Sequence, residues 1–292
     1  MSASEWRPLG RIDFAQLREA RMQAHYAAQW LARFGRAYIP PQPDDSHTNL
    51  GWDDAFDGFI GHPLFDGMRL GLRIPDPSLT LLDGSGNALN TFALQGRSEA
   101  DVRLWLGEQV QTVGLPGEKL DAPLPYVLPP HPLAQGAPYD SAAVALALPA
   151  LAAWYTNGLR ALDSVRRGLL ARGLTAPEVR CWPHHFDLDC LTVIGGGVAY
   201  VAPTMGAGFA PGDHYYEEPY FYVSLYPRPE RGALPVLPPP GHWHTADFLA
   251  AVLPAGRIVA LRDPQAETEA FLKTAVDQAV KVLKTLPAAR AN

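Results

Sequence analysis

The sequence is poor in cysteine, in long apolar runs and in charge of one sign. Cys181 and Cys190 are the only cysteines in 292 residues. If 181–191 is one strand, nine steps of roughly 3.3 Å hold them about 30 Å apart, far beyond the Cα separation of roughly 7 Å that a disulfide tolerates. Two free thiols suit a reducing compartment, so a cytoplasmic location is expected. On an apolar strand both read as packing groups and not as nucleophiles. The most apolar run, AAVALALPALAAWY at 142–155, is shorter than the roughly 18 residues of a membrane span and contains a proline, so it reads as a buried helix. The opening residues, MSASEWRPLGRID, lack the basic start and apolar core of a secretory signal. Lys and Arg number 24 against 30 Asp and Glu, a net charge of -6. No basic cluster alternates with aromatics, so neither nucleic acid nor a membrane is an expected partner. Common catalytic signatures are missing too: there is no G-x-S-x-G elbow, no H-E-x-x-H helix, no P-loop and no G-x-G-x-x-G after a strand.

What is present reads as a compact α+β protein. Asp13, with Gln16 three positions on, opens a helix carrying Leu17, Ala20, Ala24, Ala28, Leu31 and Phe34 at helical spacing. It is expected to stop near Gly35, before the loop PPQPDDSHTNLGWDD. RLGLRI, SLTLL and LNTFAL read as antiparallel strands. The turn DGSGN at 83–87 places Asp83, Ser85 and Asn87 at alternate positions, as a calcium loop does. Ala88 stands where that loop needs Gly and Leu94 where it needs Glu, so a hairpin turn is expected. Ser98 to Val113 reads as a helix, followed by the proline-dense LDAPLPYVLPPHPLAQGAP. Asp140 opens a long helix to about Arg172, kinked or broken at Pro149. Strands follow at CWPHHFDLDCL and EPYFYVSLYP, then helices near 246–253 and 264–286. Without regular βα alternation, the expected fold is an antiparallel sheet with long helices packed on it. It forms either one domain over 1–292 or two lobes, 1–120 and 139–292, joined by the proline-rich connector.

CWPHHFDLDCL concentrates the chemistry. Read as a continuous strand, it puts Trp182, His184, Phe186, Leu188 and Cys190 on one face and His185, Asp187 and Asp189 on the other. Burying such charges without partners is costly, so the second face must meet solvent, each other or a ligand. His185 and Asp187 can supply two ligands of a metal site, with His47, His25 or His214 as a third. His184, pointing the other way, is structural or a substrate contact. On the companion strand Glu218, Tyr220, Tyr222, Ser224 and Tyr226 share a face, which can surround a small polar molecule with hydrogen bonds and rings. Asp44, Asp45, Ser46, His47 and Asn49 crowd one loop, where capping competes with function. GHWH at 241–244 has H-x-H spacing but lies between prolines and an expected helix, so it reads mainly as loop. GFAPGDHYY echoes the P-G-D-x-H turn of cupin barrels, without their upstream paired-histidine motif.

W-P-H-H-F-D-L at 182–188, G-F-A-P-G-D at 208–213 and E-P-Y-F-Y at 218–222 together resemble the signature of a bacterial domain family of unknown function, mainly over residues 180–230. The resemblance implies that His184, His185, Asp187, Gly212, Asp213, Glu218 and Tyr220 act as one group. Asp189 departs from the family pattern, in which a small apolar residue follows the Leu.

The expected function is therefore a metal-dependent enzyme acting on a small polar substrate. His185, Asp187 and His47 would hold a divalent zinc, iron or manganese. Glu218 would be a ligand or general base, Tyr220 or Tyr222 an acid or substrate contact, and Asp45, His184 and Asp213 further substrate contacts. The alternatives are a non-catalytic module that binds a small ligand through the same polar face, and a purely structural hydrogen-bond network.

Overall fold

The computed structural model describes residues 5–10, 13–195, 202–229 and 234–285. It is α+β, with two antiparallel sheets. The chain divides into two compact units. One takes in Leu9–Thr156 and Cys181–Phe186, the other Met1–Pro8, Asn157–Arg180 and Asp187–Asn292. The proline-dense connector lies wholly inside the first of these, and the division falls elsewhere.

The first unit contains α1 (Phe14–Tyr38), a five-stranded meander in the order β1 (Gly51–Asp53), β2 (Gly58–Ile60), β3 (Arg69–Arg73), β4 (Ser78–Leu82) and β5 (Ala88–Ala93), and then α2 (Glu99–Thr112). Asp13 caps α1 by accepting from the amides of Ala15 and Gln16 at 3.0 and 3.3 Å. The helix runs past Gly35, where a stop was expected, because that position needs only a missing side chain: a β carbon there would lie 2.7 Å from the carbonyl oxygen of His47. Asp83 accepts from the amides of Ser85 and Asn87, both at 2.8 Å, making the expected hairpin turn. Ser98 and Asp101 close a reciprocal capping box on α2.

Asp140 caps a 3-10 turn at Ser141–Val144, and α3 (Ala147–Ala171) begins only after it. Pro149 falls in the first turn of α3, where no amide is needed, so the kink expected there has no cause. α3 gives its residues up to Thr156 to the first unit and the remainder to the second. β6 (Arg180–Trp182) is likewise shared, and within the first unit Cys181 exchanges two backbone hydrogen bonds with Leu50, at 2.8 and 2.9 Å.

The second unit is built on a sheet ordered β10 (His242–His244), β11 (Ala250–Pro254), β9 (Tyr220–Tyr226), β8 (Thr204–Ala210) and β7 (Asp187–Val193), all neighbours antiparallel. His242–His244 are strand and not loop, and the segment expected as a helix at 246–253 instead enters β11, because Ala250–Pro254 pair with β9 from Ser224 to Tyr220. Only the four-residue α4 (Ala255–Ile258) follows Pro254. α5 (Pro264–Thr285) matches its expected bounds, residue 286 lying outside the described residues. Asp263 caps it by accepting from the amide of Ala266 at 3.0 Å.

One face of this sheet is largely apolar: Leu188 and Cys190, Met205, Ala207 and Phe209, Phe221 and Val223, Ala251 and Leu253 are all fully buried, with Thr192 a polar exception on β7. α5 packs on it through Phe271, Leu272, Ala275, Val276, Ala279 and Val280. α3 approaches closely enough that a β carbon at Gly158 would lie 2.8 Å from the ring of Phe209. At about 1.5–3 kcal/mol per large buried side chain, this face holds the sheet in place. The functional candidates lie on the opposite face.

Candidate functional site

The register fixes which residues share that opposite face. Asp189, Gly208, Tyr222, Val252 and His242 stand side by side on successive strands from β7 to β10. Leu191, Gly206, Ser224, Ala250 and His244 form the next row. Strand β8, between β9 and β7, contributes two glycines, and neighbouring side chains occupy the space. A β carbon at Gly208 would lie 2.2 Å from Cζ of Tyr222 and one at Gly206 3.0 Å from Oδ1 of Asp189. Lying over Gly208, Tyr222 donates its hydroxyl to Oδ2 of Asp187 at 2.6 Å.

Asp187 and Asp189 are two residues apart on one strand, so their carboxyl groups share a face. Oδ1 of Asp189 is closed off from solvent with no hydrogen-bond partner among the described residues. Burial, and then the charge of Asp187, hold the Asp189 carboxyl well above the ordinary aspartate range. The same burial, with both carboxylates nearby, pushes the Tyr222 phenol upward, so it remains a proton donor.

The polar row continues toward β10. Tyr220 donates to Oδ2 of Asp213 at 2.6 Å, and burial followed by the Asp213 charge raises its proton affinity. Asp213 is held by the amides of Tyr215 and Tyr216, which donate to its Oδ1 at 2.7 and 3.0 Å. Gly212 before it has φ 107°, a conformation that favours glycine. The hydroxyl of Tyr216 lies 2.9 Å from Nε2 of His242 and 3.0 Å from Nδ1 of His244. Ring centroids run 4.9 Å from Tyr216 to Tyr220 and 6.0 Å from Tyr220 to Tyr222, so the aromatic row is continuous.

The continuous strand expected over 181–191 is interrupted. Residues 183–186 form a turn in which the amides of His185 and Phe186 donate to the carbonyl of Trp182 at 3.1 and 2.7 Å. Phe186 sits at φ 59°, and Tyr155 donates to its carbonyl at 2.6 Å. The turn reverses the alternation: residue 181 is buried on one side of it and residues 186, 188 and 190 on the other. Parity therefore no longer aligns His185 with Asp187.

The remaining candidates have definite local roles. His184 and His185 are exposed, their rings 4.3 Å apart, and Tyr126 lies 5.7 Å from the His184 ring. Nε2 of His25 lies 2.8 Å from the carbonyl oxygen of Pro183, and its ring stacks on Phe186 at 5.1 Å; burial pushes its pKa down to about 4. Nδ1 of His47 accepts from the amide of Gln42 at 3.1 Å, a loop-closing bond. Asp45, at φ 58°, pairs with Arg36 at 3.4 Å. Glu218 accepts from the amide of Gly256, outside the tyrosine row. His214 is exposed against Tyr215. Both cysteines are free and buried. Among the described residues no group of three His, Cys, Asp or Glu side chains is arranged to hold a metal, and no helix is long and apolar enough to cross a membrane.

Sequence reasoning did not consider Tyr216 and set His242 and His244 aside as loop. The signal was the alternation H-W-H itself, masked by flanking prolines.

No curated protein and no solved structure gives a significant match to the chain. Residues 197–287, which carry β8 through α5 and include both G-F-A-P-G-D and E-P-Y-F-Y but begin beyond W-P-H-H-F-D-L, match the model of a family of unknown function (DUF5996).

Proposed function

We propose that the polar face of the second unit is the active face of an enzyme that performs general acid–base chemistry on a small polar substrate. Asp189, kept neutral by burial, gives a proton to the substrate. Asp187, carrying the charge of the pair and oriented by Tyr222, accepts one, so the pair returns to its starting charge with its proton relocated. The observation that supports this most directly is the pairing of the closed-off, proton-retaining Asp189 with Asp187 under one phenol. Paired carboxyls with separated proton affinities are the usual basis for an acid and a base on one face. Tyr220 and Asp213 extend the row along which a polar molecule can be bound. The two free, buried thiols fit a reducing cytoplasm as the setting.

The test is a thermal-shift screen of small polar metabolites followed by turnover assays on the hits. Asp187→Asn and Asp189→Asn should each lower kcat by about 10²–10⁴-fold with KM little changed. Turnover that survives both substitutions overturns the assignment. A second reading, a structural hydrogen-bond network, is favoured by the fact that Tyr220 and Tyr222 already give their hydroxyls to Asp213 and Asp187. On that reading Tyr222→Phe lowers the melting temperature and no small molecule shifts it.

A further inference from the structure

We propose that His242, His244 and Tyr216 form a binding site for a divalent transition metal, at the opposite end of the sheet from the carboxyl pair. The two histidines are alternate residues of strand β10, so their imidazoles leave the same side of the backbone. Tyr216 comes from the β8–β9 connection and sets its oxygen against both rings, 2.9 Å from Nε2 of His242 and 3.0 Å from Nδ1 of His244. In a tetrahedral site with metal–nitrogen bonds of about 2.0–2.1 Å, donor atoms stand about 3.3 Å apart. The phenol oxygen needs to move only a few tenths of an ångström from each of the two nitrogens to stand at that separation. Position is held from outside: Asp213 fixes the backbone amide of Tyr216, Phe248 stacks on His244 at 4.3 Å, and the Trp243 indole between the histidines is anchored to the carbonyl of Pro235 at 2.8 Å.

The protein alone does not satisfy this cluster. One phenol proton serves two imidazoles, so Tyr216 donates to one ring and accepts from the other. His242 Nδ1 and His244 Nε2 are buried without hydrogen-bond partners among the described residues. Two imidazoles and a phenol oxygen suit zinc, copper, nickel or cobalt and not calcium or magnesium. Without acceptors behind the far nitrogens, the orientation and basicity that such acceptors give are missing, so micromolar affinity is expected.

The experiment uses the full chain purified without a polyhistidine tag. Zinc or cobalt is titrated in, stoichiometry is read by equilibrium dialysis and elemental analysis, and coordination by imidazole ¹⁵N NMR. One ion per chain should bind, shifting His242 Nε2 and His244 Nδ1. His242→Gln and His244→Gln should each weaken binding at least about 100-fold and Tyr216→Phe about 10-fold. Asp189→Asn should bind zinc as the native protein does, so the metal site and the acid–base assignment fail separately. The absence of a stoichiometric ion, or an imidazole spectrum of the native protein unchanged by zinc, overturns the proposal even if the histidine variants fail to fold.

Discussion

Replacing Asp189 with asparagine isolates the cost of its buried charge. Its carboxyl is held well above the ordinary value of 3.8 by burial and by Asp187. Between 3.8 and the raised value the native state therefore carries more protons than the unfolded chain. Stability is then full below the unfolded value and falls as pH rises through the window, with a limiting slope of about 1.4 kcal/mol per pH unit for one proton. Asp189→Asn keeps the shape and has nothing to ionise. Urea unfolding of both proteins between about pH 4 and pH 8 should give a stability difference that grows in favour of the variant by up to about 1.4 kcal/mol per unit and levels off once the native carboxyl ionises. All other titrating groups cancel in that difference, apart from Asp187, whose neighbour has changed. Parallel curves across the range would refute the claim that Asp189 holds its proton.

Gly208→Ala should lower stability by roughly 1–3 kcal/mol, since the new carbon meets the ring of Tyr222 at 2.2 Å. Gly206→Ala should cost clearly less, its nearest neighbour being the rotatable Ser224 hydroxyl at 2.7 Å; denaturant midpoints give the ranking. Neither thiol should react with a chromogenic thiol reagent until the protein unfolds, because both are buried and burial pushes Cys190 up to about 12.

Local periodicity carried much of the fold. α1, α2, α5 and the strands around 69–93 follow from capping residues and alternation that tertiary packing did not override. The failures share a physical cause, which is that a decisive partner was distant in sequence. Gly35 ends no helix because it clears the His47 carbonyl, and Ala250–Pro254 became strand because β9 offered an edge. In the site, Asp187 and Asp189, and Tyr220 and Tyr222, were visible as polar alternations, whereas Asp213 entered through the family resemblance alone. His185 was grouped with them by a parity that the Phe186 turn reverses. That turn depends on Tyr155 and on stacking with His25, neither of which lies near it in the chain. Tyr216 and the β10 histidines meet only after two strand pairings, and no local pattern encodes that.

The hydroxyl of Tyr222 spans two strand spacings, roughly 9–10 Å, to reach Asp187. It bolts β9 to β7 over the bare glycine between them. A slip of β8 by two residues would keep every side chain on its proper face, and hydrophobic patterning alone does not forbid it. In one direction such a slide brings Ala210 beneath the phenol ring, where Gly208 now leaves room, and drives the bolt out. The bald strand thus acts as a keyway, so that the same contact that orients the carboxyl pair also keeps the sheet from settling one notch out of place.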